Sequence, residues 1–163
     1  MVKIITYKPQ YKQDFIRLNR QWIEAYFKLE ESDLKTFAHI EEYIIGRGGQ
    51  IFLAVDDEET VVGCCALIPH PEKDSHELAK MAVSPNVQGK GIGLQLGNAL
   101  LDYAGSHGVK RIFLEGNTHL KASIALYRKL GLKEIPLIDN SYERCDILME
   151  LRTDVQSHKE LCP

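Results

Sequence analysis

"VSPNVQGKGIGLQL", Val83 to Leu96, is the stretch on which the reading of this chain turns. Gly89, Gly91 and Gly93 alternate with Lys90 and Ile92 behind Gln88, and an apolar helical stripe of Ile92, Leu96, Leu100 and Tyr103 follows. A backbone without Cβ atoms lets a ligand come close. Several N–H groups can then converge on an anion, joined by the unsatisfied first-turn N–H groups and the positive end of the helix dipole. Lys90 adds a positive charge, and a phosphate or pyrophosphate is the natural guest. A tight strand-to-helix turn is the plain alternative. The nucleoside-triphosphate loop, Gly-x-x-x-x-Gly-Lys-Ser/Thr, is absent. The dinucleotide fingerprint fails because its third glycine falls on Leu94 or Leu96.

Outward from the loop, the pattern alternates strands and helices. "KIITY" (Lys3 to Tyr7) reads as a strand. Phe15, Leu18, Trp22, Ala25 and Leu29 share one helical face. A second helix is expected from Ser32, as its cap, toward Ile45. "QIFLAV" and "TVVGCCALIP" form an antiparallel hairpin across "DDEE", and "HELAKMAV" is the next strand. A helix follows from Gly91 to about His107, then the strand "RIFLE", a helix over Leu120 to Leu130, and the strands "KEIP" and "RCDILMEL". The order is β α α β β β α β α β β. His76 to Glu115 then forms a parallel, right-handed strand–helix–strand unit.

The 163 residues suit one domain with a real core, taken as 1–151, followed by a polar tail over 152–163. Hydrophobic residues make up 44% and net charge is −3, so a basic face for nucleic acid is not expected. No apolar run nears the roughly 20 residues of a membrane span. Met1 to Gln10 lacks the apolar core of a signal peptide, so a cytoplasmic location is expected. Cys64, Cys65, Cys145 and Cys162 fit no zinc or redox spacing, and no metal is expected. Cys64 and Cys65 should point to opposite faces of their strand.

"QGKGIG" (Gln88 to Gly93) resembles the Gln/Arg-x-x-Gly-x-Gly/Ala signature of the GNAT acetyltransferase superfamily, placed after a strand as in that family. "NTHLKASIALYRKLGLKEI" (Asn117 to Ile135) resembles its "LY-x-K-x-GF" region. Together with the element order, the resemblance covers the chain to Leu151. It implies a mixed α/β GNAT fold: a central, mostly antiparallel twisted sheet of about seven strands, a parallel splayed pair in its middle, and about four flanking helices. It implies acetyl-coenzyme A as cosubstrate, with the pyrophosphate on Gln88, Gly89, Lys90, Gly91, Ile92 and Gly93. The pantetheine arm would pair with Met81, Ala82 and Val83 like an added strand. Leu120 and Ser123 stand where many members carry Asn and Ala, so Asn117 is the substitute polar contact. Homodimers are frequent in the family.

Acetyl transfer to an amine needs a neutral nucleophile, a donor for the oxyanion and a proton for the departing thiolate. The resemblance makes Tyr127 the general acid, with a backbone N–H near Met81 or Ala82 for the oxyanion. Glu77, eleven residues before Gln88, matches the base of histone-acetylating members, and strand alternation would set it beside Ala79, Met81 and Val83. His76, Glu115 and His119 are weaker candidates, and a solvent-relayed proton needs no dedicated base. Tyr26, Phe27 and Glu30, with Glu77, are the candidates to line the amine acceptor's pocket, whereas Trp22 lies on the core stripe. The competing reading is a non-catalytic acyl-coenzyme A module acting as sensor or scaffold.

Overall fold

The computed structural model describes residues 1–138 and 142–153. Seven strands form one sheet: β1 (Lys3–Thr6), β2 (Gln50–Val55), β3 (Val61–His70), β4 (Ser75–Val83), β5 (Arg111–Gly116), β6 (Lys133–Ile135) and β7 (Ile147–Arg152). Their spatial order is β1-β2-β3-β4-β5-β7-β6, and among the described residues only the central β4–β5 pair is parallel. α1 (Lys12–Tyr26) and α2 (Glu31–Ala38) cover one face, while α3 (Ile92–Ser106) and α4 (Lys121–Lys129) cover the other. The expected GNAT-type architecture is present. No helix among the described residues is long and apolar enough to cross a membrane.

Both faces of the sheet are covered, so β3 reads as a continuous apolar run buried from Val61 to Pro69. Cys64 packs with Phe15 and Leu18 on the α1 side, and Cys65 with Leu96 and Leu100 on the α3 side, as alternation predicts. Cys162 and most of the tail lie outside the described residues. The second helix departs from expectation. It begins after Glu30, whose side chain and that of Asp33 form a reciprocal capping box. The Ser32 hydroxyl is buried without a hydrogen-bond partner among the described residues. The helix stops at His39, and a separate π turn covers Glu41–Ile45.

Two irregularities create the site. β4 and β5 pair only at His76↔Ile112 and Glu77↔Phe113, then diverge and leave a V-shaped gap. Within β4 the register against β3 slips: Ala79 faces Ala66, yet Ala82 faces Cys64, so Lys80 and Met81 oppose Cys65 alone. Lys80 takes φ +57, the left-handed region that a side chain enters at a cost of about 1–2 kcal/mol. This bulge corrects the alternation expected for Glu77. Met81 and Val83 pack with Leu78 on the α3 side, whereas Ala79 and Ala82 face α1. Glu77 therefore shares its face with Ala79 but not with Met81 or Val83.

Candidate active site

The glycine loop and the V-shaped gap lie at two ends of one channel. The outer groove is lined by Val83, Val87, Gln88, Gly89, Gly91, Ile92 and Gly93, with Lys121, Ala122 and Leu126 across from them. Gly89 and Gly91 have φ +80 and +79, and a Cβ on either would meet nothing within 4 Å. Their glycine requirement is conformational, and the space before them is open. Gly93 has a second constraint, because a Cβ there would come within 2.9 Å of Leu126 Cδ2. It lets α3 and α4 pack closely. The Gln88 side-chain amide donates to the Val83 carbonyl and ties the loop to the end of β4.

The inner chamber sits in the gap itself, walled by Glu77 to Met81 of β4, Glu115 and Gly116 of β5, Tyr127 of α4, and Trp22 and Phe27 from α1 and its end. Trp22, Met81, Leu120 and Ser123 line both cavities, so the groove opens into the chamber. Tyr127 has no hydrogen-bond partner for its hydroxyl among the described residues. Burial holds its pKa well above the usual phenol value, so the proton stays on until a strong acceptor arrives.

Charged groups crowd the chamber's far wall. Lys80 Nζ donates to Asp33 Oδ1 at 2.6 Å and to the Tyr142 hydroxyl at 3.0 Å. Arg144 grips both oxygens of Asp33, at 2.8 and 2.9 Å, and Glu30 Oε2 at 3.1 Å. Burial alone would raise the Asp33 pKa, but the Arg144 hydrogen bonds and the Lys80 charge outweigh it and bring it down to about 2. Burial lowers the Lys80 pKa, against the pull of Asp33. At the other end of β4, Glu77 is buried and its Oε1 lies 2.9 Å from His70 Nε2. His70 Nδ1 lies 3.2 Å from Glu72 Oε1. The Glu77 hydrogen bond, opposed by burial, raises the His70 pKa.

The chain matches the Acetyltransferase (GNAT) family over residues 16–132. The chain is a member of it. It is 35% identical over 94 residues to the uncharacterized N-acetyltransferase YjgM of Escherichia coli, covering 56% of each chain. It is 34% identical over 124 residues to human N-acetylaspartate synthetase, covering 75% of this chain and 40% of that one. The chain thus spans about half the length of these curated relatives. A GNAT phosphinothricin acetyltransferase from Sinorhizobium meliloti, solved in complex with AcCoA, superposes with TM-score 0.77 at 19% identity, over 93% of this chain and 88% of that one.

Within this GNAT fold the sequence-predicted residues divide. Met81 lines both cavities; Ala82, Val83, Gln88, Gly89, Gly91, Ile92 and Gly93 line the groove. Lys90 is exposed on the loop and does not line it. Tyr127, Glu77 and Phe27 line the chamber, and Tyr26 lines the groove mouth. Asn117 lines the chamber too, but its Nδ2 donates to the Arg144 carbonyl and its Oδ1 accepts from the His119 N–H. Glu30 opens onto a separate surface hollow, and its carboxylate holds Arg144 and the Glu143 N–H. Trp22, expected in the core, packs there with one side and lines both cavities with another.

Sequence reasoning passed over Lys80, Asp33, Tyr142, Arg144 and His70. One signal was available for Lys80. A lone lysine inside the apolar central strand "ELAKMAV" has no solvent face to use, so it needs a buried partner. Nothing local points to Asp33, 47 residues away.

Proposed function

We propose that this protein is an acetyl-CoA-dependent N-acetyltransferase that moves an acetyl group to a primary amine by direct attack in a ternary complex. The observation that carries the reading is the channel: an anion-ready glycine loop at one end, and at the other a chamber lined by a buried carboxylate and a phenol with no hydrogen-bond partner among the described residues. Acetyl-CoA fits it as substrate. The positive-φ glycines leave room for a pyrophosphate against the backbone, and the β5-facing edge of β4 beyond Glu77 has no strand partner among the described residues. The relative named N-acetylaspartate synthetase is consistent with an N-acetylated product.

The chemistry follows from the residues. The acceptor nitrogen attacks the thioester carbonyl, a C–N bond forms and the C–S bond breaks. Glu77 is the base that takes the amine proton. Its Oε1 is held by His70, while Oε2 has no partner among the described residues. Tyr127 gives its proton to the leaving thiolate. A backbone N–H at Met81 or Ala82 serves the oxyanion.

Calorimetric titration with acetyl-CoA, with NAD as control, tests the first half. Thiol release in an amine screen tests the second. Acetyl-CoA binding without turnover of any amine favours the sensor or scaffold reading. No acetyl-CoA binding removes the groove from the site.

A further inference from the structure

Four charged side chains line the chamber: the carboxylates Glu77 and Glu115 and the cations Lys80 and Arg144. The counter-charges of the two cations stand behind the wall. Asp33 is fully buried and does not line the chamber, and Glu30 opens onto a different hollow. Both cations are thus held from the rear. Asp33 and Tyr142 take two of the three Lys80 ammonium protons, and three of Arg144's five N–H donors go to Asp33 and Glu30. The remaining N–H groups have no acceptor among the described residues. The Arg144 guanidinium also packs over the Tyr142 ring, 4.3 Å from its centroid, which fixes the plane of its fork.

Stability alone does not account for this arrangement. A buried ion cluster is often replaceable by apolar residues of similar volume at no loss. This one also places Lys80 in a strained left-handed conformation. What the cluster does supply is a fixed pair of cationic groups facing the chamber, with their counter-charges Asp33 and Glu30 outside its lining. Glu77 precedes Lys80 on the same strand and lines the same chamber. The chamber is small, about 80 Å³ against about 280 Å³ for the groove. It suits a compact molecule.

We propose that the acceptor is a free amino acid, whose carboxylate docks on Lys80, Arg144 and the Tyr142 hydroxyl while its amine faces Glu77 and Tyr127. The inference rests on the transferase reading and names its substrate class. The amino acid's nitrogen gains the acetyl group, its proton passes to Glu77, and coenzyme A leaves as the thiol. The fixed fork of Arg144 recognises the carboxylate through charge-assisted hydrogen bonds.

The test is a paired one on the whole chain. Each of the common amino acids is assayed against its own α-carboxamide, with spermidine and a short peptide as further acceptors, following thiol release and product mass. At least one amino acid is expected to be acetylated with kcat/KM about 10- to 100-fold above that of its amide, the scale of one or two charge-assisted hydrogen bonds. The amide's amine is the less basic, so its larger neutral fraction works against this result and makes it the more telling. In Tyr142→Phe the acid-to-amide ratio falls toward one, whereas a purely structural effect lowers both rates together. Amides or spermidine used as well as the acids would overturn the carboxylate subsite and leave acetyl transfer standing. Acetyl-CoA binding with no amino acid acetylated would overturn it too. Failure to bind acetyl-CoA would bring down the transferase reading itself, and this proposal with it.

Discussion

The groove and the chamber are built in opposite ways. The loop wall of the groove comes from one continuous piece of chain, Met81 to Gly93, and its chemistry is in the backbone. The chamber is assembled from α1, β4, β5, α4 and the segment before β7, and its chemistry is in side chains far apart in the sequence, from Trp22 to Arg144. A backbone site advertises itself through glycine. A side-chain site made of scattered, common residues does not.

Breaking the ion cluster should have the largest effect. Asp33→Ala removes the anion shared by Lys80 and Arg144 and half of the α2 capping box. The expected loss is about 3–5 kcal/mol of folding stability, because two buried cations are left undercompensated. Urea unfolding of the variant checks it. A loss under about 1 kcal/mol would mean that the chamber wall does not depend on this cluster. The same cluster sets an acid limit. The Asp33 pKa lies at about 2 in the folded chain against 3.8 as the unperturbed value, so its stabilisation is in place above the unfolded value and is lost as pH falls toward about 2.

Tyr127→Phe comes next and separates the two regions by function. The change removes one hydroxyl from the chamber wall while keeping the ring in place. Turnover should fall about 10²-fold or more, the usual worth of a positioned general acid. Acetyl-CoA affinity should stay within about threefold. Equal turnover would show that the thiolate leaves without Tyr127.

The contrast also explains what the sequence could disclose. Alternation and helical spacing located every strand of the sheet, the parallel pair and its crossover, because these depend on local period. The loop was legible because positive φ at Gly89 and Gly91 demands glycine in the sequence itself. The bulge at Lys80 was not, because a lysine at φ +57 breaks the local rule and is tolerated only through Asp33 and Tyr142. That one missed residue put Met81 and Val83 on the wrong face relative to Glu77. Glu30 misled for a similar reason. It sits in an aromatic, acidic stretch that resembles a pocket wall, yet its carboxylate is spent on Arg144 and the Glu143 N–H.

Gly91→Val sharpens the comparison from the groove side. A branched residue at φ +79 is strained, although a Cβ there would touch nothing in the protein itself. The side chain would instead occupy the space in front of the loop. Acetyl-CoA affinity should drop about 10-fold, while Tyr142 and Arg144 continue to form the chamber. Calorimetry on the folded variant decides it, and unchanged affinity would remove the loop from the binding site.

The smallest effect should come from His70, and it carries a sign. Its hydrogen bond to Glu77, with Glu72 on the other ring nitrogen, raises its pKa above 6.5 in spite of partial burial, while burial and the His70 charge lower that of the neighbouring His76. A raised folded-state value means that the stabilisation is fully present below the unfolded pKa and is lost as pH rises through the folded one. His70→Gln keeps a donor for Glu77 but has no charge to titrate. The wild type should therefore exceed the variant in stability by about 0.5–1 kcal/mol near pH 5.5, with the gap closing by pH 9. In turnover the same change should flatten the part of the pH profile that follows the raised His70 titration, because the variant has no ring to titrate there. A profile that does not move would mean that His70 merely packs on the Phe113 ring, 5.3 Å away, and takes no part in holding the base.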